Sequence, residues 1–425
     1  SLVGSEMCIR DSIFTALLLC LAGCDNEWDA SKDLTIGQDW IEEAETDTAD
    51  RLESDLFRED EGSEPQSGWT NTADGAPFGE KDLSAQSDTA FSYGYSQLSG
   101  DEEQLYREIL NSLISYQEET ELSVKDPEMV ERVFRYVMAD HPEIFYADGY
   151  EVTTYRLGTE LRRITFTGTW TLESDEVLSR RAQLEAAAAL WLEGLPDGTD
   201  DFEKAKYIYD ALILRTEYEQ GSADSQTICS VLLNQRSVCQ GYAKTFQYLC
   251  QLAGIPAMLV TGDVNGEGHA WNIVFLDGDW YYIDPTWGDA SYQREEGEET
   301  PTLTETVNYD YFCVTTQEIE RTHSMDDNQL LPVCNAVQNQ YYRHEGLYLQ
   351  SADKEKIDEI FARAAQKGAP MVCFQCADDT VYQEVYRLLI EEQGIFAYLP
   401  ESETTAAYLD SDRERTFYFW FTEVS

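Results

Sequence analysis

Three residues near the middle of the chain have the types and order that acyl-transfer chemistry uses: Cys239, His269 and Asp284. Ser237 is placed to cap a helix running from about Cys239 to Leu252 and closed by Gly254 and Pro256. Ala243, Phe246, Leu249, Cys250 and Ala253 give that helix an apolar face. Cys239 then sits in the first turn, where unpaired amides and the helix dipole favour an anionic sulfur. The same amides can stabilise an oxyanion. Gly241 is expected to leave room beside the sulfur. Taken alone, a cysteine is more often a buried structural residue, so the helix start is not decisive.

A hairpin supplies the partners. His269-Ala-Trp-Asn-Ile-Val-Phe-Leu has strand composition, Asp277-Gly278 is a tight-turn dipeptide, and Asp279-Trp-Tyr-Tyr-Ile-Asp284 returns until Pro285 stops it. With a two-residue loop, Leu276 pairs with Asp279. Trp271 then faces Asp284, and His269 is its diagonal neighbour on the same face, about 7–8 Å away. A carboxylate so placed accepts from one ring nitrogen and aims the other at a nucleophile. A metal site built from Cys239, His269 and Asp284 would lack a fourth paired ligand, so neither metal nor cofactor is expected.

Ser-Val-Cys239-Gln-Gly-Tyr-Ala-Lys, Gly-His269-Ala-Trp-Asn and Trp-Tyr-Tyr-Ile-Asp284-Pro-Thr-Trp, in that order, resemble the bacterial transglutaminase-like superfamily, strongly so over residues 200–287. The resemblance implies a papain-like core with Cys239 as nucleophile, His269 as base and acid, and Asp284 as the orienting residue. No calcium ligand cluster of the animal transglutaminase type is present, and no upstream Trp offers a second oxyanion donor. Tyr218 and Gln226 are the candidates for that role, with packing or capping as the alternative for each. Trp271 and Trp287 are candidate walls of a substrate groove, against core packing. His141-Pro-Glu-Ile-Phe, Thr216-Glu-Tyr218 and Tyr309-Asp-Tyr-Phe312 resemble flanks of uncharacterised clostridial-type lipoproteins, a resemblance that says little about chemistry.

The surrounding elements set the frame. The chain has 425 residues and a formal charge of -53, which repels nucleic acid phosphates and excludes that partner. Ile13 to Leu21 is an apolar run too short to span a bilayer, and Leu-Ala-Gly-Cys24 after it matches a bacterial lipoprotein box, predicting a signal segment over 1–24 with lipidation at Cys24. Ser1 to Ser12 start without Met and with only Arg10 as a cation, and they are set aside from the fold. From Asp25 to Ala90 there are 20 acidic residues against 4 basic ones, the composition of a self-extending tether, which is assigned to 25–99. An N-terminal α+β region is expected over 100–175, the catalytic core over 176–300 with an acidic loop at its end, and a small α/β module over 301–425. The overall class is α+β. Seven cysteines follow Cys24, an odd number that cannot all pair internally. Cys373-x-x-Cys376 lies in an apolar strand and is read as structural.

The predicted function is an extracytoplasmic, cysteine-dependent enzyme, held to the membrane by its lipid anchor. It acts on protein or peptide amides, cell-wall peptides included, through a thioester, with hydrolysis favoured over cross-linking. The alternative is a non-catalytic cell-surface binding module built on the same fold, against which the intact Cys, His and Asp count.

Overall fold

The computed structural model describes residues 11–15, 92–195, 198–289, 307–327, 329–369, 371–399 and 407–420. Cys24, nearly all of the acidic tether and the acidic loop after Ala290 lie outside them. The fold is α+β.

Helices α1 (Asp101–Ser115) and α2 (Pro127–Asp140) lie beside an antiparallel hairpin, β1 (Ala147–Leu157) and β2 (Glu160–Trp170). The start of α2 follows from two local features: the Asp126 side chain accepts from the amides of Glu128 and Met129, and Pro127 occupies the first turn, where its missing N–H costs nothing. Asp11–Thr15 adds to the hairpin as an edge strand on β1, and Thr120–Glu121 pairs with β2. The apolar faces of both helices, Leu105, Ile109 and Leu113 with Val130, Phe134 and Val137, are buried against Tyr150, Ile164 and Phe166.

Four more helices follow: α3 (Ser174–Leu192), α4 (Asp201–Arg215), α5 (Ile228–Asn234) and α6 (Cys239–Leu252). They precede a five-stranded antiparallel sheet of β3 (Ala257–Val264), β4 (Glu267–Leu276), β5 (Asp279–Ile283), β6 (Phe312–Val314) and β7 (His323–Met325), in the order β6-β5-β4-β3-β7. Two of its strands come from beyond residue 300. Helix α6 is tied to this sheet by Asn272, whose Nδ2 donates to the Ala243 carbonyl at 2.9 Å. It is tied to α2 by Gln247 and Gln251, whose amides donate to the carbonyls of Ala139 and Asp140. One apolar core runs from Leu98 to Cys313, so the N-terminal region and the helices under the sheet share it.

The C-terminal module comprises β8 (Tyr348–Leu349), α7 (Lys354–Lys367), β9 (Met371–Cys376), α8 (Asp379–Tyr386), β10 (Ala407–Ser411) and β11 (Thr416–Trp420), with sheet order β8-β9-β11-β10. Only the β8–β9 pair is parallel. It has its own core around Ile357, Ile360, Phe361, Phe374, Phe417 and Phe419. Cys373 and Cys376 stand three positions apart on β9 and so face opposite sides of the sheet, Cys376 in that core and Cys373 beside Tyr342 and Tyr418. They cannot form a disulfide there, which supports a structural role. All seven cysteines from Cys229 to Cys376 are unbonded and buried.

Candidate active site

Cys239 is the first residue of α6, as the local pattern predicts. The cap is different from the one expected. Val238 is the N-cap residue and no side chain caps the helix. The Ser237 hydroxyl instead donates to the Ser225 carbonyl at 2.8 Å and meets the Ser230 hydroxyl at 2.7 Å. It is drawn away because it is fully buried, where an unpaired hydroxyl is costly. The result suits chemistry: no side chain competes for the first-turn amides. Gly241 also acts differently from expectation. A Cβ there would stand 1.9 Å from Ser237 Oγ, 2.7 Å from the Ser225 carbonyl and 2.8 Å from Ser230 Oγ. The space it leaves serves the serine pair that supports the helix start.

The hairpin has the anticipated register, from Leu276 opposite Asp279 to Asn272 opposite Ile283. Asp277 and Gly278 both have positive φ, 52° and 93°, as a two-residue turn matching the strand twist requires. The ladder ends one pair short of Trp271 and Asp284, and the Asp284 amide turns to donate to the Tyr311 carbonyl at 3.0 Å. His269 Nε2 then lies 2.7 Å from Asp284 Oδ2. A ring nitrogen at that distance from a carboxylate carries the proton and donates it. Nδ1 is therefore the nitrogen left for the Cys239 side chain, which favours charge on the ring.

The electrostatics follow. Burial opposes charge on His269, but the Asp284 carboxylate, its hydrogen bond and the Cys239 side chain outweigh it and lift the ring from the usual 6.5 to about 10. Burial alone would raise Asp284; the paired imidazoles hold it well below the ordinary carboxylate range. Its Oδ1 accepts from the amides of Thr286 and Trp287 at 2.8 and 3.1 Å. Exposure falls along the three residues, 7% at Cys239, 4% at His269 and 0% at Asp284.

Residues 192–285 match the family model described as the Transglutaminase-like superfamily. The chain carries a transglutaminase-like domain. Kyphoscoliosis peptidase of Homo sapiens is 33% identical over 113 residues, 23% of this chain and 17% of that protein. The Mus musculus protein of the same name is 32% identical over the same length, again 23% and 17%. The chain thus spans about a sixth of the curated relatives it matches. The periplasmic domain of TgpA from Pseudomonas aeruginosa aligns at 14% identity, with a TM-score of 0.21, over 34% of this chain and 73% of that one.

Within the transglutaminase-like domain and around it, the remaining candidates divide. Tyr218 pairs with Ser237 between short strands, and Gln226 follows Ser225, whose carbonyl holds Ser237. Both are half-buried and stand at the start of α6. Trp271 is fully buried, stacked on the His269 ring at 5.8 Å, and therefore packs the core rather than lining a groove. Trp287 keeps partial exposure and stands edge-on to His269 at 6.4 Å, the position of a groove wall.

Sequence reasoning missed His323. Its Nε2 lies 3.0 Å from Asp284 Oδ2, the oxygen that His269 uses, and its Nδ1 lies 2.7 Å from Thr322 Oγ1. The only available signal was scarcity: the chain has four histidines. His269, Asp284 and His323 bring three buried ligand atoms within 4.8 Å of one another. Two ligands of one zinc ion stand roughly 3.3 Å apart in tetrahedral geometry. The 2.7 and 3.0 Å contacts to Asp284 are shorter than that and are hydrogen bonds. Among the described residues Glu203, His344 and Glu345 form a second such group, open to solvent.

Proposed function

We propose that this chain is a cysteine-dependent acyl-transfer enzyme that hydrolyses protein or peptide amides through a thioester on Cys239. One observation carries the reading: His269 is bound through Nε2 to a buried carboxylate, and its ring interacts with the cysteine that opens α6.

The chemistry runs as follows. The Cys239 sulfur attacks the amide carbonyl carbon, and the carbonyl electron pair moves to oxygen, where the first-turn amides of α6 stabilise it. A positive imidazole beside the sulfur is the arrangement that favours a thiolate nucleophile. His269, protonated at neutral pH, gives the Nδ1 proton to the leaving nitrogen as the C–N bond breaks. The amine departs and a thioester remains. Water then attacks the thioester and yields a proton to Nδ1. The C–S bond breaks, the acid leaves, and the sulfur is again paired with an imidazolium. Asp284 stays ionised throughout and keeps Nε2–H in place.

Hydrolysis is favoured over transfer to an amine because cross-linking needs a site that holds an amine and excludes water while the thioester survives. Among the described residues Trp287 is a partly exposed aromatic wall beside the triad, on the side edge-on to His269. The Leu-Ala-Gly-Cys24 pattern supports an extracytoplasmic, lipid-anchored location. The decisive experiment is a panel of glutaminyl and peptide amides, with and without a labelled primary amine, read by mass for wild type and Cys239→Ala. Release of free acid that depends on Cys239 is expected. Amine incorporation exceeding free acid at modest amine concentration would make the chain a transglutaminase, and equal turnover by Cys239→Ala would end the assignment.

A further inference from the structure

We propose that His323 is a positioning residue of the catalytic centre, a second histidine that holds the same oxygen of Asp284 as His269. The inference rests on the function proposed above and adds a member to its machinery.

Three observations carry it. His323 is fully buried, and its Nε2 reaches the same carboxylate oxygen as the catalytic ring, at 3.0 Å against 2.7 Å. A buried nitrogen at that distance donates to the carboxylate. Second, the other ring nitrogen is engaged: Nδ1 lies 2.7 Å from the Thr322 hydroxyl, which also reaches the Ile319 carbonyl at 3.4 Å, so Nε2 is left to the carboxylate. Third, the ring is fixed by aromatic contacts to Trp271 at 4.8 Å, Trp287 at 5.1 Å and Tyr311 at 5.8 Å. Two of these rings also touch His269.

The physical consequence concerns direction. A carboxylate between two donors from one strand would be free to swing toward either. Here Oδ1 is held by two backbone amides and Oδ2 by two imidazoles, so its rotamer is set from every side. Asp284 can then present Oδ2 to Nε2 of His269 at one angle, which aims Nδ1 at the sulfur. His323 touches neither substrate nor sulfur. It acts through Asp284.

The test uses the full chain with His323→Gln, His323→Phe, Asp284→Asn and the double variant His323→Phe/Asp284→Asn. Gln keeps an N–H near the position of Nε2; Phe keeps the ring packing and removes the donor. His323→Phe is expected to lower kcat by roughly ten- to a hundredfold, the value of a hydrogen bond to a charged group, with KM little changed. The same fold loss is expected in the rate of Cys239 alkylation by iodoacetamide, which needs no amide substrate. His323→Gln should recover most of both. In the Asp284→Asn background His323→Phe should add little, because its route is already cut. A His323→Phe variant that melts like wild type and keeps its kcat and alkylation rate overturns the inference, as does an undiminished effect in the Asp284→Asn background. Should His323→Phe fail to fold, His323→Gln and Thr322→Val read the same quantities. Wild type with neither turnover nor a fast-alkylating Cys239 would overturn the functional reading itself.

Discussion

At the scale of single residues, the proposed mechanism separates the triad into groups that react and a group that orients. Cys239→Ala and His269→Ala remove members that act as a unit, and each should lower kcat by about 10⁴-fold or more. Asp284→Ala should leave more residual activity, about 10² to 10⁴ below wild type. Stability should run the other way. Cys239→Ala loses one sulfur and should melt close to wild type. Asp284→Ala strands two amides and two imidazoles in a dry site and should cost about 3–5 kcal/mol by chemical denaturation. His269 also sets a pH dependence. Its folded-state value of about 10 lies above the ordinary 6.5, so the stability it contributes is fully present below 6.5 and is lost as pH rises towards 10. The melting-temperature gap between wild type and His269→Gln should therefore be widest near pH 6.5 and shrink towards pH 10. A gap that widens with rising pH would show that the imidazolium is not favoured in the fold.

At the scale of elements, the start of α6 is the part on which the chemistry depends. Alanine for glycine inside a helix ordinarily stabilises by roughly 1 kcal/mol. At Gly241 the sign should invert, because the new methyl meets the Ser237 hydroxyl and the Ser225 carbonyl. Gly241→Ala is expected to destabilise by about 1–3 kcal/mol and to displace Cys239, with activity falling more than stability. Adding Ser237→Ala removes the nearest clash and should restore part of the stability; the backbone carbonyl of Ser225 remains and limits the recovery. Urea titrations of Gly241→Ala and the double variant beside wild type measure this. The hairpin needs no such support from afar, since its register follows from two turn residues.

At the scale of the whole molecule, the C-terminal module meets the catalytic sheet at Asp310. Its carboxylate accepts from the hydroxyls of Tyr342 and Tyr418 through Oδ1 and of Thr416 through Oδ2. Neighbouring Tyr311 receives the Asp284 amide, so the segment that anchors the module also holds the catalytic carboxylate's backbone. Asp310→Ala takes the carboxylate from the buried hydroxyls of Tyr342 and Thr416, at about 1–3 kcal/mol each, while Tyr418 keeps Asn308 Oδ1 at 2.7 Å. Faster proteolysis between 345 and 420, together with a lower kcat, is the expected result; faster proteolysis with unchanged kcat would confine Asp310 to the module. Burial, with Glu414 adding, raises Asp310 from 3.8 to about 6. This group therefore stabilises most below 3.8 and loses its contribution as pH rises to about 6, a loss that Asp310→Asn should abolish. Among the described residues no helix is long and apolar enough to cross a membrane. In the proposed reading membrane attachment is through Cys24. Cell fractionation should find wild type with the membrane and Cys24→Ser released; unmodified wild type free in the medium would count against the anchor.

What the amino-acid order determined alone is what depends on near neighbours. A cysteine at a helix start, a two-residue turn, and a strand pair counted outward from it bring Cys239, His269 and Asp284 into one reading, because turn type sets hairpin register within a dozen residues. The paired motifs also sufficed for the transglutaminase-like core and the α+β class. The tertiary structure decided everything that needs two distant segments. His323 comes 39 residues after Asp284 and reaches it only because β7 joins the sheet beside β3, a pairing that no turn specifies. Ser237 left its cap because Ser225 and Ser230 were close enough to outbid the helix amides. Trp271 and Trp287 have the same side chain and stand sixteen positions apart; which is core and which is wall depends on the layer packed over each. Burial is a property of the whole packing, and periodicity along one strand reports only which residues share a face.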